Sequence, residues 1–363
     1  MSERPDAQAA AREFEFSGEV LGLTPHGGGH INDTYLVTCQ ASGAPVRYIL
    51  QHINRHVFHD PVAVMENVER VTAHLAAQAV GQPDSARRVL HLIPARDGRN
   101  WHVDAQGETW RAYRFIENAR TYETATSTGQ AFQAARAFGH FQLQLSSLPP
   151  PRLHETIPDF HNTPKRFAAL EQAIAADAAG RAALAKPEIE FARSRKAITG
   201  KLLDAGLPER ITHNDTKFNN VLLDDKTGEA VCVIDLDTVM PGLALYDFGD
   251  MVRTTTSPAA EDEKDLSKVR MQFPMFEALV RGYLESAGAF LTPAEKKCLA
   301  FSGKLITFEI GIRFLTDYLA GDTYFKVHRE GHNLDRCRAQ FKLVESIEQQ
   351  EDEMNRLVES VAE

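Results

Sequence analysis

The distribution of apolar residues divides this chain into a strand-rich first part and a helix-rich remainder. Short apolar stretches with the length of strands occur at 31–38, 46–53 and 110–118. Beyond them, apolar residues recur near the helical period, as they do at Phe132, Ala135, Phe138 and Leu143. The pattern predicts an α+β chain with a sheet near its N-terminus, and its 363 residues predict two domains.

Local capping signals mark the starts of two helices. Asp60 precedes Pro61, so the aspartate can cap a helix while the proline occupies its first position. Thr292-Pro-Ala-Glu295 has the sequence of a capping box and predicts a helix that runs to Gly321.

Composition and charge are those of an ordinary globular protein, with 43% hydrophobic and 25% charged residues. A net charge of −10 argues against a nucleic-acid-binding surface. The four cysteines are widely scattered and suggest neither a zinc site nor a disulfide framework. The N-terminus lacks an apolar signal core, and no uninterrupted apolar run has membrane-spanning length. We therefore expect a cytoplasmic protein without membrane partners.

The segment richest in candidate chemistry is Ile211-Thr-His-Asn-Asp-Thr-Lys-Phe-Asn-Asn220. Transfer of the γ-phosphoryl group of ATP needs one carboxylate at the acceptor hydroxyl and hard oxygen ligands for Mg²⁺. Asp215 is the candidate for the first role, as a base that accepts or orients the hydroxyl proton. Asn220 and Asp235 are the candidates for the metal, and His213 would brace the loop.

Two aspartates compete for the role of second metal ligand. Asp235 lies 15 residues after Asn220, whereas Asp247, in a literal Asp-Phe-Gly, lies 27 residues after it. Apolar stretches flank a turn at Asp225-Lys-Thr-Gly228 and predict a single hairpin that ends at Asp235. We therefore assign Asp235 to the metal. Asp247 is expected to be a helix N-cap or a buried buttress without direct chemistry.

The pattern His-x-Asp-x-x-x-x-Asn resembles the catalytic loop of the aminoglycoside and choline phosphotransferases, which have a protein-kinase-like fold. The resemblance implies a bilobal chain with a small antiparallel-sheet lobe at 1–116 and a larger, mainly helical lobe at 117–363. A glycine-rich turn in the first lobe would approach the phosphates of ATP, because glycine permits close contact by backbone N–H groups. The candidate residues of this turn are Gly28, Gly29, Ile31 and Asn32.

The segment Trp110-Arg-Ala-Tyr-Arg-Phe-Ile-Glu-Asn118 would lead into the hinge between the lobes. In that place the backbone of Arg114, Phe115 and Ile116 would hydrogen-bond to adenine. The phosphate-binding Lys of protein kinases is absent, because the corresponding strand carries Gln51. The usual Lys–Glu pair is therefore not expected, and Glu66 and Glu69 are predicted to face solvent.

Five segments in order resemble the N-acetylhexosamine 1-kinase family more specifically. They are Gly29-His-Ile-Asn-Asp-Thr-Tyr35, Tyr48-Ile-Leu-Gln-His-Ile-Asn54, Ile211–Lys217, Val233-Ile-Asp-Leu-Asp-Thr-Val-Met-Pro-Gly242 and Ile312-Arg-Phe-Leu-Thr-Asp-Tyr318. The resemblance implies ATP- and Mg²⁺-dependent phosphorylation of the anomeric hydroxyl of N-acetylglucosamine or N-acetylgalactosamine. It also implies that Arg313, His30 and Asp237 contact the sugar together with Asp215. We also expect a monomer.

Other interpretations stay open at this point. The spacing alone favours a structural pair of Arg313 with Glu309 or Asp317, four residues away on either side. The same catalytic residues would serve a kinase of an aminoglycoside, an amino alcohol or another hexose. A non-catalytic ATP-binding protein and a protein kinase are the remaining alternatives.

Overall fold

The computed structural model describes residues 6–27, 31–41 and 43–362. It divides into two compact units. One unit comprises the chain up to Ala119 together with Leu148–Pro158 and Val231–Met240. The other comprises Arg120–Ser147, Asp159–Ala230 and the chain from Pro241 onward.

The first unit contains a sheet and two helices in its N-terminal part. The elements are α1 (Ala7–Ala11), β1 (Glu19–Pro25), β2 (Asp33–Gln40), β3 (Pro45–Ile53), α2 (Pro61–Ala79), β4 (Leu92–Ile93), β5 (His102–Val103) and β6 (Thr109–Arg114). The strands run in the order β1-β2-β3-β6-β4, and β5 also pairs with β6. Every pairing in this sheet is antiparallel, as the sequence predicts.

The two faces of this sheet have different compositions, because side chains alternate along a strand. One face packs on α1 and forms an apolar core, whose members include Phe14, Val37, Tyr48, Leu50 and Trp110. The opposite face carries a polar row across three neighbouring strands. Thr34 on β2 pairs in register with Gln51 on β3, which pairs in register with Arg111 on β6.

Helix α2 begins as its sequence predicts. The side chain of Asp60 accepts a hydrogen bond of 3.1 Å from the backbone N–H of Ala63, and Pro61 is the first helical residue. The buried side of α2 includes Val64, Val68 and Val71. These contacts fix the helix within the first unit.

The rest of the chain is mainly helical. Its strands are β7 (Ala119–Arg120), β8 (Arg210–Thr212), β9 (Val221–Asp224), β10 (Ala230–Val233) and β11 (Met240–Gly242). Its helices are α3 (Thr128–Leu145), α4 (Thr163–Ala176), α5 (Lys186–Ser194), α6 (Lys201–Asp204), α7 (Ala244–Thr255), α8 (Phe273–Ala287), α9 (Pro293–Lys297), α10 (Leu299–Ala320) and α11 (His332–Ala362). Strand-rich and helix-rich regions thus follow one another, which confirms the α+β prediction.

Helices α3 and α8 pack closely in the second unit because glycines lie at their contact. A Cβ atom on Gly282 would lie 2.3 Å from the carbonyl oxygen of Phe132. On the facing helix, a Cβ on Gly139 would lie 2.4 Å from Oγ of Ser286. Larger residues would therefore force the two backbones apart.

The predicted capping box at Thr292 is present, with Glu295 N donating to Thr292 Oγ1 at 3.2 Å and Thr292 N donating to Glu295 Oε2 at 2.8 Å. The prediction of one helix from there to Gly321 is wrong. Helix α9 ends at Lys297, and α10 begins at Leu299. Between them, the N–H of Cys298 donates to the carbonyl of Glu295.

Among the described residues, no helix is both long enough and apolar enough to span a membrane.

Candidate active site

The loop between β8 and β9 holds Asp215 in a network of hydrogen bonds within the second unit. The amide nitrogen of Asn220 donates to the backbone carbonyl of Asp215 at 2.8 Å and to its Oδ2 at 3.3 Å. Lys217 Nζ lies 2.9 Å from Oδ1 of the same carboxylate. Asp215 keeps 22% of its side chain exposed, so an acceptor can reach it.

Charges around the loop keep Asp215 ionised. Burial tends to raise the pKa of this carboxyl, but the ammonium group of Lys217 and the nearby Arg253 hold it below its ordinary value. Burial tends to lower the pKa of Lys217 in turn, and Asp215, Asp250 and Glu261 raise it instead. The pair is therefore an ion pair across the neutral pH range.

Asp247 supports this loop, as its downstream position predicts. Its side chain is fully buried and accepts the backbone N–H groups of His213 at 2.9 Å and of Asn214 at 2.7 Å. The side chain of Gln142 donates to it at 2.6 Å, and Thr216 Oγ1 donates to its backbone carbonyl at 2.6 Å. With its carboxylate occupied by these donors, Asp247 acts as a buttress.

His213 braces the loop from its other side. The ring is buried, and its Nδ1 accepts the backbone N–H of Asp215 at 3.3 Å. Phe138 and Phe141 of α3 pack edge-on against the same ring, at centroid distances of 5.3 and 5.9 Å. The helical apolar side of α3 thus positions the catalytic loop.

Both predicted metal ligands are among the described residues, and their role stays a prediction. Asn220 uses its amide nitrogen on Asp215, and its amide oxygen accepts no hydrogen bond from the part of the chain that the structure describes. Asp235 has φ 61°, a left-handed conformation that aspartate tolerates better than most residues. Residues 6–27, 31–41 and 43–362 contain no cluster of three His, Cys, Asp or Glu side chains suited to a metal. Mg²⁺ is commonly held by one or two protein oxygens together with substrate phosphates, so this chemistry fits.

Two of the four predicted phosphate residues, Ile31 and Asn32, directly precede β2 of the first unit. Gly28, Gly29 and His30 fall outside the described residues. The backbone carbonyl of Ile31 accepts the side chain of Asn54 at 3.1 Å, and Asn32 Oδ1 accepts the backbone N–H of Asn54 at 3.0 Å. Asn32 also donates to Oδ2 of Asp237 at 2.6 Å.

Gln51 lies on the strand where protein kinases carry their phosphate-binding Lys, and both polar atoms of its side-chain amide form hydrogen bonds. Its amide oxygen accepts Nε of Arg111 at 3.0 Å, and its amide nitrogen donates to Thr34 Oγ1 at 3.1 Å. Glu66 instead bonds His154 at 2.6 Å and is exposed, whereas Glu69 is half-buried and accepts Asn100 at 2.6 Å. Of the two glutamates predicted to face solvent, Glu66 does so and Glu69 does not.

Arg111 is a functional candidate that the sequence did not reveal. Its side chain is fully buried and forms an ion pair with Asp237 through Nη1. Both carboxylate oxygens of Asp237 are thereby occupied, one by Arg111 and one by Asn32. The role of Asp237 in binding an acceptor stays a prediction, because that role would require these bonds to rearrange. Lys217 is the second candidate that was missed, although its position two residues after Asp215 could have indicated it.

Of the three residues predicted to contact adenine, one has a backbone N–H that donates to no described residue. The N–H of Arg114 donates to His91 O at 2.9 Å, and the N–H of Phe115 donates to Arg47 O at 3.2 Å. The N–H of Ile116 donates to no residue that the structure describes. Among these three residues, only Ile116 therefore has a backbone N–H that is available to donate to adenine, and this contact stays a prediction.

Arg313 on α10 does not form the structural ion pair that its spacing favoured. Glu309 accepts His161 Nδ1 at 2.8 Å and Thr163 Oγ1 at 2.5 Å, and Asp317 accepts the backbone N–H groups of Thr323, Tyr324 and Phe325 at 2.8–3.0 Å. No carboxylate of the described residues lies within ion-pair distance of Arg313. Its guanidinium lies instead over two aromatic rings, at 5.0 Å from Phe160 and 5.7 Å from Phe325.

His161 connects this region of α10 to the catalytic loop. Its Nδ1 faces Glu309, and its Nε2 lies 3.2 Å from the backbone carbonyl of Asn214, the residue before Asp215. Since Phe160 immediately precedes His161, Arg313 and the catalytic loop are linked through a short run of packed residues. The segment around residue 160 therefore packs between α10 and the loop that carries Asp215.

Comparisons with known proteins agree with this geometry. The model of the phosphotransferase enzyme family matches residues 22–285. A microcompartment-associated aminopropanol kinase has 18% identity and a TM-score of 0.59, over 96% of this chain and 98% of that chain. An aminoglycoside phosphotransferase from Alicyclobacillus acidocaldarius subsp. acidocaldarius has 12% identity and a TM-score of 0.65, over 99% and 98%. An ADP-bound aminoglycoside phosphotransferase has 14% identity and a TM-score of 0.55, over 94% and 99%.

At these identities the solved structures establish a shared fold, whereas the family model covers well over half of the chain. The match includes the catalytic loop, its buttress at Asp247 and the polar row on the sheet of the first unit. The chain therefore belongs to the phosphotransferase enzyme family.

Proposed function

We propose that this chain is an ATP- and Mg²⁺-dependent kinase that phosphorylates the anomeric hydroxyl of an N-acetylhexosamine. The sugar assignment is supported by the five-segment resemblance to the N-acetylhexosamine 1-kinases and by the surroundings of Arg313. The turn before Ile31 and Asn32 and the free N–H of Ile116 are the proposed contacts to ATP. Asn220 and Asp235 are the proposed Mg²⁺ ligands, on the basis of motif spacing.

Asp215 would act as the base of the transfer. The sugar oxygen forms a bond to the γ-phosphorus while the bond from that phosphorus to the β,γ-bridging oxygen breaks, leaving its electron pair on ADP. The hydroxyl proton passes to the carboxylate of Asp215, which Lys217 keeps ionised and Asn220 keeps in place. Mg²⁺, when bound, would supply neutralising charge to the phosphates.

The choice of a sugar as the acceptor rests on the surroundings of Arg313. Its guanidinium is a donor group without a carboxylate partner among the described residues, and aromatic rings lie beside it. Such a group suits the hydroxyl and amide oxygens of a neutral sugar, and the rings suit the apolar faces of a pyranose. An acceptor with several amines would be repelled by the same positive charge. His30 and Asp237 are further proposed sugar contacts on the basis of the resemblance.

An acceptor panel with product analysis tests this proposal. The protein is incubated with ATP, Mg²⁺ and, separately, N-acetylglucosamine, N-acetylgalactosamine, glucose, ethanolamine, aminopropanol and an aminoglycoside. We expect ADP formation with the N-acetylhexosamines, and phosphorus–proton coupling in the NMR spectrum to place the phosphate on O1. Phosphate on O6, or faster turnover of an amine-bearing acceptor, would overturn the sugar 1-kinase assignment.

A variant tests whether the transfer uses this site. Asp215→Asn keeps the size of the side chain and removes the base, so turnover should fall about 10²–10⁴-fold. The thermal unfolding midpoint should change little, because the side chain is partly exposed. Near-normal turnover by this variant would exclude Asp215 as the base.

A further inference from the structure

The nucleotide side of the first unit lacks a cation on β3, where protein kinases carry a Lys that contacts ATP phosphates. Gln51 occupies this strand and brings no charge. The nitrogen and the oxygen of its side-chain amide are already bonded to Thr34 and Arg111, so its side chain is held within the polar row. A phosphate site on this face of the sheet therefore needs positive charge from another residue.

Arg111 is placed to supply that charge. It lies directly opposite Gln51 in the antiparallel pairing of β3 with β6, so both side chains emerge on the same face. Its Nε bonds Gln51 and its Nη1 bonds Asp237, which fixes the guanidinium plane by two different partners. The positive charge of Arg111 thus lies on β6, next to the β3 position at which protein kinases carry Lys and on the same face of the sheet.

The third nitrogen of the same group points to a ligand. Nη2 of Arg111 is buried and has no hydrogen-bond partner in the described ranges 6–27, 31–41 and 43–362. A buried donor without a partner is costly, so such groups commonly have one in the functional state. Carboxylates raise the pKa of Arg111 despite its burial, with Asp237 the nearest, so the donor is always charged.

The neighbours of Arg111 indicate which ligand this is. Asp237 also accepts Asn32, which directly precedes β2. One hydrogen-bonded network therefore joins Arg111 to Asn32, itself a candidate contact to ATP. The ligand that fits a fixed guanidinium with an unused donor is an anionic oxygen.

We propose that Arg111 is the phosphate-binding cation of this enzyme and that its Nη2 donates to an oxygen of the α- or β-phosphate of ATP. This inference rests on the proposed function in that the nucleotide is ATP. In the absence of nucleotide, Asp237 holds the guanidinium in the orientation that the phosphate needs. The charge that other kinases place on β3 is here placed on β6.

Measuring nucleotide binding in the absence of an acceptor distinguishes phosphate binding by Arg111 from a purely structural role. Arg111→Gln alone would leave Asp237 buried without its cation, so the principal variant is Arg111→Gln/Asp237→Asn, which removes both charges and keeps hydrogen-bonding groups. Calorimetry should show ATP and ADP bound about tenfold to a hundredfold more weakly, as for a lost hydrogen bond to a charged group. Adenosine, which has no phosphate, should bind within about twofold of its original affinity.

A second, independent variant moves the positive charge from β6 to β3. Adding Gln51→Lys to Arg111→Gln returns the cation to β3 and should restore at least part of the lost ATP affinity. Arg99→Gln is the matched control, because Arg99 is an exposed arginine of the same unit that pairs with Asp97. It should leave binding of ATP and adenosine unchanged.

Two results would overturn the proposal. One is an equal loss for adenosine and ATP, or no loss for either, in the doubly substituted protein. The other is a crystal structure of the unaltered protein with ADP in which Nη2 of Arg111 contacts no phosphate oxygen, a test that holds even if the variants unfold. Failure of the unaltered protein to bind ATP would instead overturn the proposed function itself.

Discussion

Lys217 Nζ lies 2.9 Å from Oδ1 of Asp215, and the two residues are separated in the chain only by Thr216. The loop is not helical at this point, so residues two apart can present their side chains to the same side. This contact keeps the proposed base ionised in a partly buried place. It also means that the pH dependence of turnover reports on Lys217.

Replacing Lys217 with Met should move the acid limb of the kcat/KM profile to higher pH. Lys217 lowers the pKa of Asp215 against the effect of burial, so its loss lets that pKa rise. The base is active when ionised, and activity is therefore lost at a higher pH as the medium is acidified. The measurement is kcat/KM from pH 4 to 9, with Lys226→Met in the exposed turn after β9 as control. An unchanged acid limb in Lys217→Met would show that this ion pair does not set the pKa of the base.

Removing the buttress at Asp247 should destabilise the second unit. Asp247→Ala leaves the N–H groups of His213 and Asn214 and the amide of Gln142 without their acceptor. We expect the free energy of unfolding to fall by about 3 kcal/mol or more, since each buried unsatisfied group costs about 1–3 kcal/mol. Urea titration measures this loss. Asp225→Ala removes a surface ion pair with Arg120 and should cost less than about 1 kcal/mol. Equal losses in the two variants would contradict the buttress role.

Arg313 should affect the acceptor and not the nucleotide. Arg313→Gln keeps part of the side chain and removes the charge, so KM for the sugar should rise about tenfold or more with KM for ATP unchanged. Arg193→Gln, which breaks an exposed pair with Glu171, serves as control. Steady-state kinetics with each substrate varied in turn distinguish the two outcomes. A parallel rise in both KM values would place the effect of Arg313 in the fold instead.

The glycine contact between α3 and α8 predicts opposite effects for two Gly→Ala changes. Gly282→Ala brings a Cβ within 2.3 Å of Phe132 O and should lower the free energy of unfolding by about 1–3 kcal/mol. Gly129→Ala, near the start of α3, has its nearest contact at 3.9 Å and should stabilise by up to about 1 kcal/mol. Thermal or urea unfolding measures both. If Gly282→Ala were as stable as Gly129→Ala, the close approach of the helices would not be required.

Features encoded by neighbouring residues could be predicted from the sequence. The caps at Asp60 and Thr292 depend on residues three positions apart, and both are present. The sequence predicts that Asp247 is a buttress and not a metal ligand, and its hydrogen bonds agree with a buttress. In each case the signal and the structure lie in the same short segment or in a motif of fixed spacing.

Features that depend on distant residues could not be predicted. The helical spacing favoured a pair of Arg313 with Glu309 or Asp317, but His161, Thr163 and the backbone after α10 occupy those carboxylates. Arg111 escaped notice because its proximity to Gln51 exists only once β3 and β6 pair. The break at Cys298 also lacks a signal, since cysteine neither ends nor starts helices as proline or glycine does.

The in-register pairing of Gln51 with Arg111 bears on how kinase-like sequences are sorted into active and inactive members. A rule that requires Lys on the third strand would place this chain among the inactive ones. Two strands that are neighbours in an antiparallel sheet offer equivalent positions on one face, although 60 residues separate them along the chain. A search for the cation should therefore examine the facing position on the adjacent strand before a chain is declared unable to bind nucleotide.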